Sequence, residues 1–249
     1  MRNKELSKKS IALILALAMV VGSVVGGTIA WLTAKTAEVK NVFTTGGIDI
    51  ELKEHRYNPD NDILTDEETT KGVDNYKMIP GWVIPKDPWV EVEENSEDCY
   101  VFIKVEETGV SFVPEGETMP MVYSFDDYLV YKIAEEWEKL EGEEGVYYKV
   151  IEGANAKGDE NHHEILVQGR YTDPMGDPDS SDDDVTVSWS DKHVAVKPSV
   201  TEEMMEVVTE ENYPTLSFTA YAVQLRKDNT TKFEPAEAWS QVKPVNEID

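Results

Sequence analysis

The run Ile48-Asp-Ile-Glu-Leu-Lys53 alternates apolar and polar side chains without a break. Because successive side chains of a strand point to opposite faces of a sheet, this alternation predicts a strand with one buried face. A similar alternation runs from Thr215 to Gln224, and Cys99 to Val105 is a β-rich run with few breakers. These three segments indicate a fold that is built mainly from strands.

Shorter segments extend the same pattern along the chain. Trp137 to Leu140 and Val146 to Ile151 flank a loop that begins at Gly142 and ends at Gly145, which is typical of a hairpin. The segment from Met78 to Val92 contains three prolines, which confine it to an edge strand or the entry to a strand. Two further strands are predicted at Glu164 to Val167 and Val185 to Trp189, and Tyr128 to Ile133 favours a strand over the start of a helix.

Helices are few in this sequence. Ser199 and Glu202 fit a capping box, and Val200, Met204 and Val208 repeat every four residues, so one helix is predicted near residues 199–209. Residues 234–242 favour one or two helical turns, and residues 55–77, which lack periodicity, are interpreted as a long loop. The predicted fold class is mainly β, an antiparallel β-sandwich or jelly roll with one inserted helix.

The N-terminus has the pattern of an export signal. A short basic segment precedes an uncharged stretch, and Thr28-Ile-Ala30 places small residues before Trp31. Residues 1–30 are therefore interpreted as a signal peptide that is cleaved between Ala30 and Trp31. Because the uncharged stretch is long enough to span a bilayer, a retained membrane anchor is the alternative. Residues 31–249 are predicted to form a single jelly-roll-like β domain with an extended N-terminal segment, residues 31–45, and acidic loops.

The chain is strongly acidic outside this signal. It has 50 acidic and 23 basic residues and a net charge of −27. The first thirty residues hold four of the basic groups and one acidic group, so residues 31–249 carry a net charge of −30. A polyanion of this size is repelled by nucleic acid, which excludes that class of partner. The only cysteine, Cys99, excludes an intrachain disulfide and a four-thiolate zinc site.

The sequence contains no recognisable catalytic signature. His162-His-Glu164 lacks the second His that a zinc protease helix needs four residues away, because Val167 stands there. The acidic segment from Asp173 to Asp184 could supply oxygen ligands to calcium, but it lacks the glycine and glutamate of an EF-hand loop, so a solvated loop is the favoured interpretation. We therefore expect neither an enzyme nor a resident cofactor or metal.

Three segments together resemble the TasA/camelysin group of exported proteins of Gram-positive bacteria. Their order and spacing carry the resemblance more than any one of them does. The segments are Gly26-Gly-Thr-Ile-Ala-Trp-Leu-Thr33 with Asn41-Val-Phe-Thr-Thr-Gly-Gly-Ile-Asp-Ile-Glu-Leu52; Ile79-Pro-Gly81 with Lys86-Asp-Pro-Trp-Val90 and Cys99-Tyr-Val-Phe-Ile-Lys-Val105; and Leu216-Ser-Phe-Thr-Ala-Tyr-Ala-Val-Gln224 with Ala236-Glu-Ala-Trp239.

The resemblance implies a secreted jelly-roll subunit or accessory protein of extracellular biofilm-matrix fibres, located in the matrix or at the cell surface. It implies that a SipW-type signal peptidase removes the signal, and that the freed N-terminal segment self-associates by adding as a strand to a neighbouring subunit. The candidate anchors of this donor strand are Trp31, Leu32, Val39, Val42 and Phe43. The same segment could instead complete the subunit's own sheet.

Two alternative functions remain open from the sequence. The first is a secreted metal-dependent peptidase of the camelysin type, which the resemblance implies because members of that group are described as metallopeptidases; the missing second His of the motif speaks against that activity here. A membrane-retained surface protein that binds a partner or a glycan through its acidic loops is the other alternative.

Overall fold

The computed structural model describes residues 47–58, 60–61, 63–71, 76–93, 96–152, 161–174, 184–189, 192–209 and 211–244. Strands hold 47% of these residues and helices 11%. The strands of this part of the chain are β1 (Ile50–Asn58), β2 (Ile63–Thr69), β3 (Val83–Pro85), β4 (Trp89–Val92), β5 (Cys99–Thr108), β6 (Val110–Phe112), β7 (Met121–Tyr123), β8 (Leu129–Val130), β9 (Glu138–Lys139), β10 (Val146–Ile151), β11 (His162–Glu164), β12 (Gly169–Asp173), β13 (Val185–Trp189), β14 (His193–Val196) and β15 (Thr215–Gln224). The helices are α1 (Phe125–Tyr128), α2 (Glu202–Glu206) and α3 (Pro235–Val242).

The central sheet has the strand order β15-β5-β10-β9. Its two longest strands, β5 and β15, pair antiparallel along their whole length, from Thr215 opposite Thr108 to Gln224 opposite Cys99. Alternate residues of β5 enter two different hydrophobic clusters: Cys99 and Val101 face the main core, whereas Tyr100 and Phe102 face a second core beneath α3. Burial on both faces explains why the first half of β5, from Cys99 to Ile103, is continuously apolar.

The second sheet has the order β11-β4-β1-β2 and contributes its inner face to the main core. Ile50 and Leu52 lie on this face together with Val90 and Val92. The strand with one buried face that the alternation at residues 48–53 predicts is therefore confirmed. The predicted mainly β fold with antiparallel sheets and few helices is also confirmed.

Three smaller sheets complete the described part of the chain. They have the orders β3-β14-β8, β12-β13 and β6-β7. Strand β3, which ends at Pro85, lies at one edge of its sheet. The prediction that the prolines confine this segment to an edge strand is therefore confirmed for β3. Proline is tolerated there because an edge strand does not need every backbone N–H for pairing.

The long loop predicted over residues 55–77 is wrong. Strand β1 extends to Asn58, whose side chain accepts a hydrogen bond from the backbone of Asp60, and β2 returns antiparallel from Ile63 to Thr69. Most of β2 is solvent-exposed or only partly buried, so its sequence has no apolar face to detect. Cross-strand ion pairs such as Arg56 with Glu67 accompany the pairing instead.

The helices differ in detail from the prediction. Helix α2 lies within the predicted range but is shorter, and its N-cap is Thr201, whose side chain accepts a hydrogen bond from the Met204 N–H. Ser199 lies two residues before the cap, and its N–H donates to a carboxylate oxygen of Asp173. The segment predicted as a strand from Tyr128 is divided between the end of α1 and the two-residue strand β8. In the part of the chain that the structure describes, no helix has the length and apolar character needed to cross a membrane.

Candidate functional site

A groove of about 500 Å³ lies between strand β3 and strand β13, and it is here called the edge groove. One side is formed by Gly81, Trp82 and Val83, which enter and begin β3. The other side is formed by residues 185–188 of β13. Trp82 is 52% exposed, which is unusual for the largest apolar side chain. The groove therefore combines apolar side chains with access to solvent.

The backbone of β3 is paired on one side only among the described residues. Trp82 accepts a hydrogen bond from the Val196 N–H at 2.8 Å, and the Lys86 N–H donates to the Lys192 carbonyl at 3.1 Å, so these backbone groups point towards β14. Because alternate residues of an antiparallel strand point their backbone groups in opposite directions, the N–H and carbonyl of Val83 point away from β14. They face the outer edge of the sheet.

Strand β13 forms the opposite wall, and among the described strands it pairs with β12 alone. It pairs with β12 from Gly169 opposite Trp189 to Asp173 opposite Val185. A Cβ atom on Gly169 would lie 2.3 Å from the Trp189 ring, so glycine is required for this close packing. The Trp189 indole N–H donates to the Val167 carbonyl, which fixes the end of β13 beside the groove.

Apolar side chains join the two walls. Val187 and Trp189 of β13 pack in one cluster with Ala195 of β14, and Val83 lies against this cluster. At the opposite end of β13, Val185 is 40% exposed. The described geometry is that of two strand edges with an apolar floor, which is a surface suited to an added extended segment.

The residues predicted to act in export and assembly lie outside the described residues. These are the cleavage residues Ala30 and Trp31 and the remaining donor-strand anchors Leu32, Val39, Val42 and Phe43. Their roles, and the division of the chain at residue 30, stay predictions.

The predicted acidic loop is described only at its ends. Asp173 is buried, and its two carboxylate oxygens accept hydrogen bonds from the Ser199 N–H at 2.7 Å and from the Tyr171 hydroxyl at 3.4 Å. This carboxylate therefore has a structural role in joining β12 to the segment before α2. Residues 175–183 lie outside the described part, so calcium at Asp173 to Asp184 stays a prediction. The described residues contain no group of three or more side chains that could hold a metal ion.

The adjacent histidines of β11 point to opposite faces of the second sheet. His162 stacks on Trp89 with ring centroids 4.7 Å apart, and its Nε2 lies 2.8 Å from a carboxylate oxygen of Glu164. His163 is buried on the core side, where the Lys149 ammonium donates to its Nδ1 at 3.1 Å. Since the strand period separates the two imidazoles, they cannot bind one metal ion together.

The environment of His163 keeps its imidazole neutral. Burial, followed by the nearby positive charge of Lys149, lowers its pKa from 6.5 to about 4. The neutral ring accepts from Lys149 at Nδ1 and carries its proton on Nε2, which is buried without a hydrogen-bond partner among the described residues. His163 is thus a buried base in the core rather than a surface residue.

The edge groove could not be found by sequence reasoning alone. The prolines around β3 indicated an edge strand, but residues 81–83 and 185–188 are about a hundred positions apart in the chain. A search of family models, of curated proteins and of solved structures finds no match to this chain.

Proposed function

We propose that this chain is a secreted structural subunit or accessory protein of extracellular biofilm-matrix fibres, which assembles by strand addition of its N-terminal segment. The edge groove is the observation that carries the proposal. It offers outward-pointing backbone groups on β3, a second strand edge on β13 and an apolar floor between them.

The physical chemistry of such a groove favours an extended peptide. An added strand satisfies the backbone groups of an edge, and its alternate side chains fill apolar pockets. Residues 31–45 fit this role because Trp31, Leu32, Val39, Val42 and Phe43 supply apolar anchors within a mixed polar segment. A segment from one subunit that binds a groove on the next makes a head-to-tail contact, which propagates into a filament when it does not close.

A variant that places a charged side chain in the edge groove tests this proposal. In Trp82→Glu the new carboxylate lies among the apolar side chains that would contact the added strand, and burying it there would be costly. The matched control is Val122→Glu, which places the same charge on β7 at a side chain that is 67% exposed and belongs to another sheet. We expect wild type and Val122→Glu to form filaments visible by electron microscopy, and Trp82→Glu to remain in the supernatant after sedimentation.

Filaments of Trp82→Glu in wild-type amounts, or persistent monomers of the wild-type mature protein, would contradict the proposal. Circular dichroism of each variant separates loss of assembly from loss of folding. N-terminal sequencing of the exported protein tests the processing step separately: a start at Trp31 agrees with removal by a SipW-type peptidase, and an intact N-terminus indicates a retained anchor.

A further inference from the structure

The backbone of Trp82 is held in place although its side chain is half-exposed to solvent. Its N–H donates to the Ile79 carbonyl at 2.9 Å, and its carbonyl accepts from the Val196 N–H at 2.8 Å. The two residues between Ile79 and Trp82 are Pro80 and Gly81, and the glycine has a φ of 80°. Proline at the second position and a positive φ at the third are the features of a type II turn. The edge groove therefore carries an aromatic platform on a fixed backbone.

Hydroxyl side chains lie beside this platform. Thr186 and Ser188 line the groove together with Trp82, and both are exposed. Because they are two positions apart on β13, their side chains leave the same face of the strand. The register of β12 and β13 places Thr172 and Arg170 opposite them, and the hydroxyls of Thr172 and Thr186 lie 2.9 Å apart. Polar side chains thus border the aromatic ring.

The edge groove is uncharged in a strongly acidic chain. Its described lining residues include no ionisable side chain, whereas residues 31–249 carry a net charge of −30. A chain of this charge repels anionic ligands, and the described lining offers no carboxylate to a cationic one. The groove therefore suits a neutral ligand that combines an apolar face with hydrogen-bonding groups.

We propose that the edge groove binds a neutral saccharide chain, one ring of which stacks on Trp82. A sugar ring with equatorial hydroxyl groups has a face of C–H bonds, which packs on an aromatic ring, and its hydroxyl groups project from the rim. Thr186 and Ser188 each supply a donor and an acceptor for those groups. The exposed Arg170 guanidinium, opposite Ser188, donates to two neighbouring oxygens of the same chain.

The dimensions of the groove fit such a ligand. Its volume of about 500 Å³ lies within the range of small-molecule sites. The groove is accessible from solvent, because Trp82 is 52% exposed and Val185 is 40% exposed. A saccharide chain therefore continues into solvent on either side of the ring that is bound.

Saccharide and an added peptide strand would both cover Trp82, so each excludes the other. A bound saccharide then slows fibre formation by keeping the groove occupied. This regulatory consequence rests on the proposed strand addition, whereas the saccharide site itself does not.

Calorimetric titration of the soluble exported protein tests the site. The neutral probes are cellohexaose and chitohexaose, which share the apolar ring face and differ in their acetamido groups. The matched charged probe is oxidised cellohexaose, in which carboxylates replace the primary hydroxyl groups. We expect a neutral probe to bind and the charged probe to bind at least roughly 10-fold more weakly at low salt, because the chain repels it. Binding of neither neutral probe, or tighter binding of the charged one, would overturn the proposal.

Variants place the ligand in the groove. Trp82→Ala should lower the affinity by about 10-fold, and Trp82→Tyr, which keeps an aromatic ring, should lower it by less than about 3-fold. Thr186→Val removes one hydroxyl and should lower it by about 5-fold. The control is Tyr213→Ala, which removes an aromatic side chain that is 42% exposed outside the groove and should leave the affinity unchanged. Equal affinities of Trp82→Ala and Tyr213→Ala would contradict stacking on Trp82.

Light scattering during assembly, with and without a saturating amount of the neutral probe, separates this proposal from strand addition. A delay in the presence of saccharide is the expected result. Binding without any delay would contradict the competition and place strand addition on another surface. Assembly of the wild type together with no binding of either neutral probe would overturn the saccharide site alone.

Discussion

The central sheet and the edge groove use the same kinds of residue in opposite ways. In the central sheet, strands β5 and β15 are paired with each other and their apolar side chains fill a core on each face. In the edge groove, β3 and β13 are edge strands among the described strands, and a tryptophan is left half-exposed between them. Trp239 on α3 is 1% exposed whereas Trp82 is 52% exposed. The comparison separates a framework, where burial supplies stability, from a surface whose apolar groups are available for a partner.

The largest expected effect is a loss of folding stability in the core of the central sheet. Trp239 packs on Phe102 and Tyr221 with ring centroids 5.3 and 5.2 Å apart, so Trp239→Ala should lower the free energy of unfolding by about 3–5 kcal/mol. Trp82→Ala is the matched control and should change it by less than about 0.5 kcal/mol. Urea unfolding of both variants measures the difference. A large loss in Trp82→Ala would mean that the groove is part of the framework.

An effect of intermediate size on folding stability is expected when the pH is lowered. The pKa of His163 is lowered in the folded state from 6.5 to about 4, by burial and then by Lys149, so below pH 6.5 the unfolded chain binds a proton that the folded chain does not. Stability should therefore be unaffected by this group above pH 6.5, fall as the pH decreases from 6.5 to 4, and fall no further on its account below pH 4.

His163→Gln isolates this contribution. Glutamine retains a polar side chain but does not titrate, so the variant should lose less stability than the wild type between pH 6.5 and 5. The midpoint of thermal unfolding across that range is the measurement. Identical profiles for the two proteins would show that His163 is not the acid-sensitive member of the core.

The smallest expected effect concerns the net negative charge of the chain. Residues 31–249 carry a net charge of −30, so approaching subunits repel each other. Assembly should be favoured by added salt, by divalent cations or by lower pH, because each reduces that repulsion. Light scattering at a fixed protein concentration measures the extent of assembly. Assembly that responds to none of the three conditions would show that charge repulsion does not control it.

The sequence predicted the framework better than the surface. The alternation at residues 48–53 and the apolar run of β5 are direct consequences of burial on one face or two, and β15 begins and ends where its pattern does. Strand β2 has no detectable pattern because it buries almost nothing. The N-cap of α2 is Thr201 rather than Ser199, since the Thr201 hydroxyl is the one that accepts from the Met204 N–H.

The candidate sites were largely beyond local patterns. The walls of the edge groove come from segments that are about a hundred positions apart in the chain. Local sequence patterns show which side chains are apolar or charged, but the pairing of distant strands determines which side chains come into contact. Prolines near β3 were the one local signal, because they limit a segment to the edge of a sheet.

Hydrogen exchange of the monomer and of assembled fibres tests strand addition at the edge groove most directly. The Val83 N–H, which points away from β14, should exchange quickly in the monomer and become protected in the fibre, as should the outward-facing N–H groups of β13. The framework amides of β5 and β15 should be protected in both states. Fibres in which Val83 and β13 exchange as fast as in the monomer, with new protection elsewhere, would contradict the account.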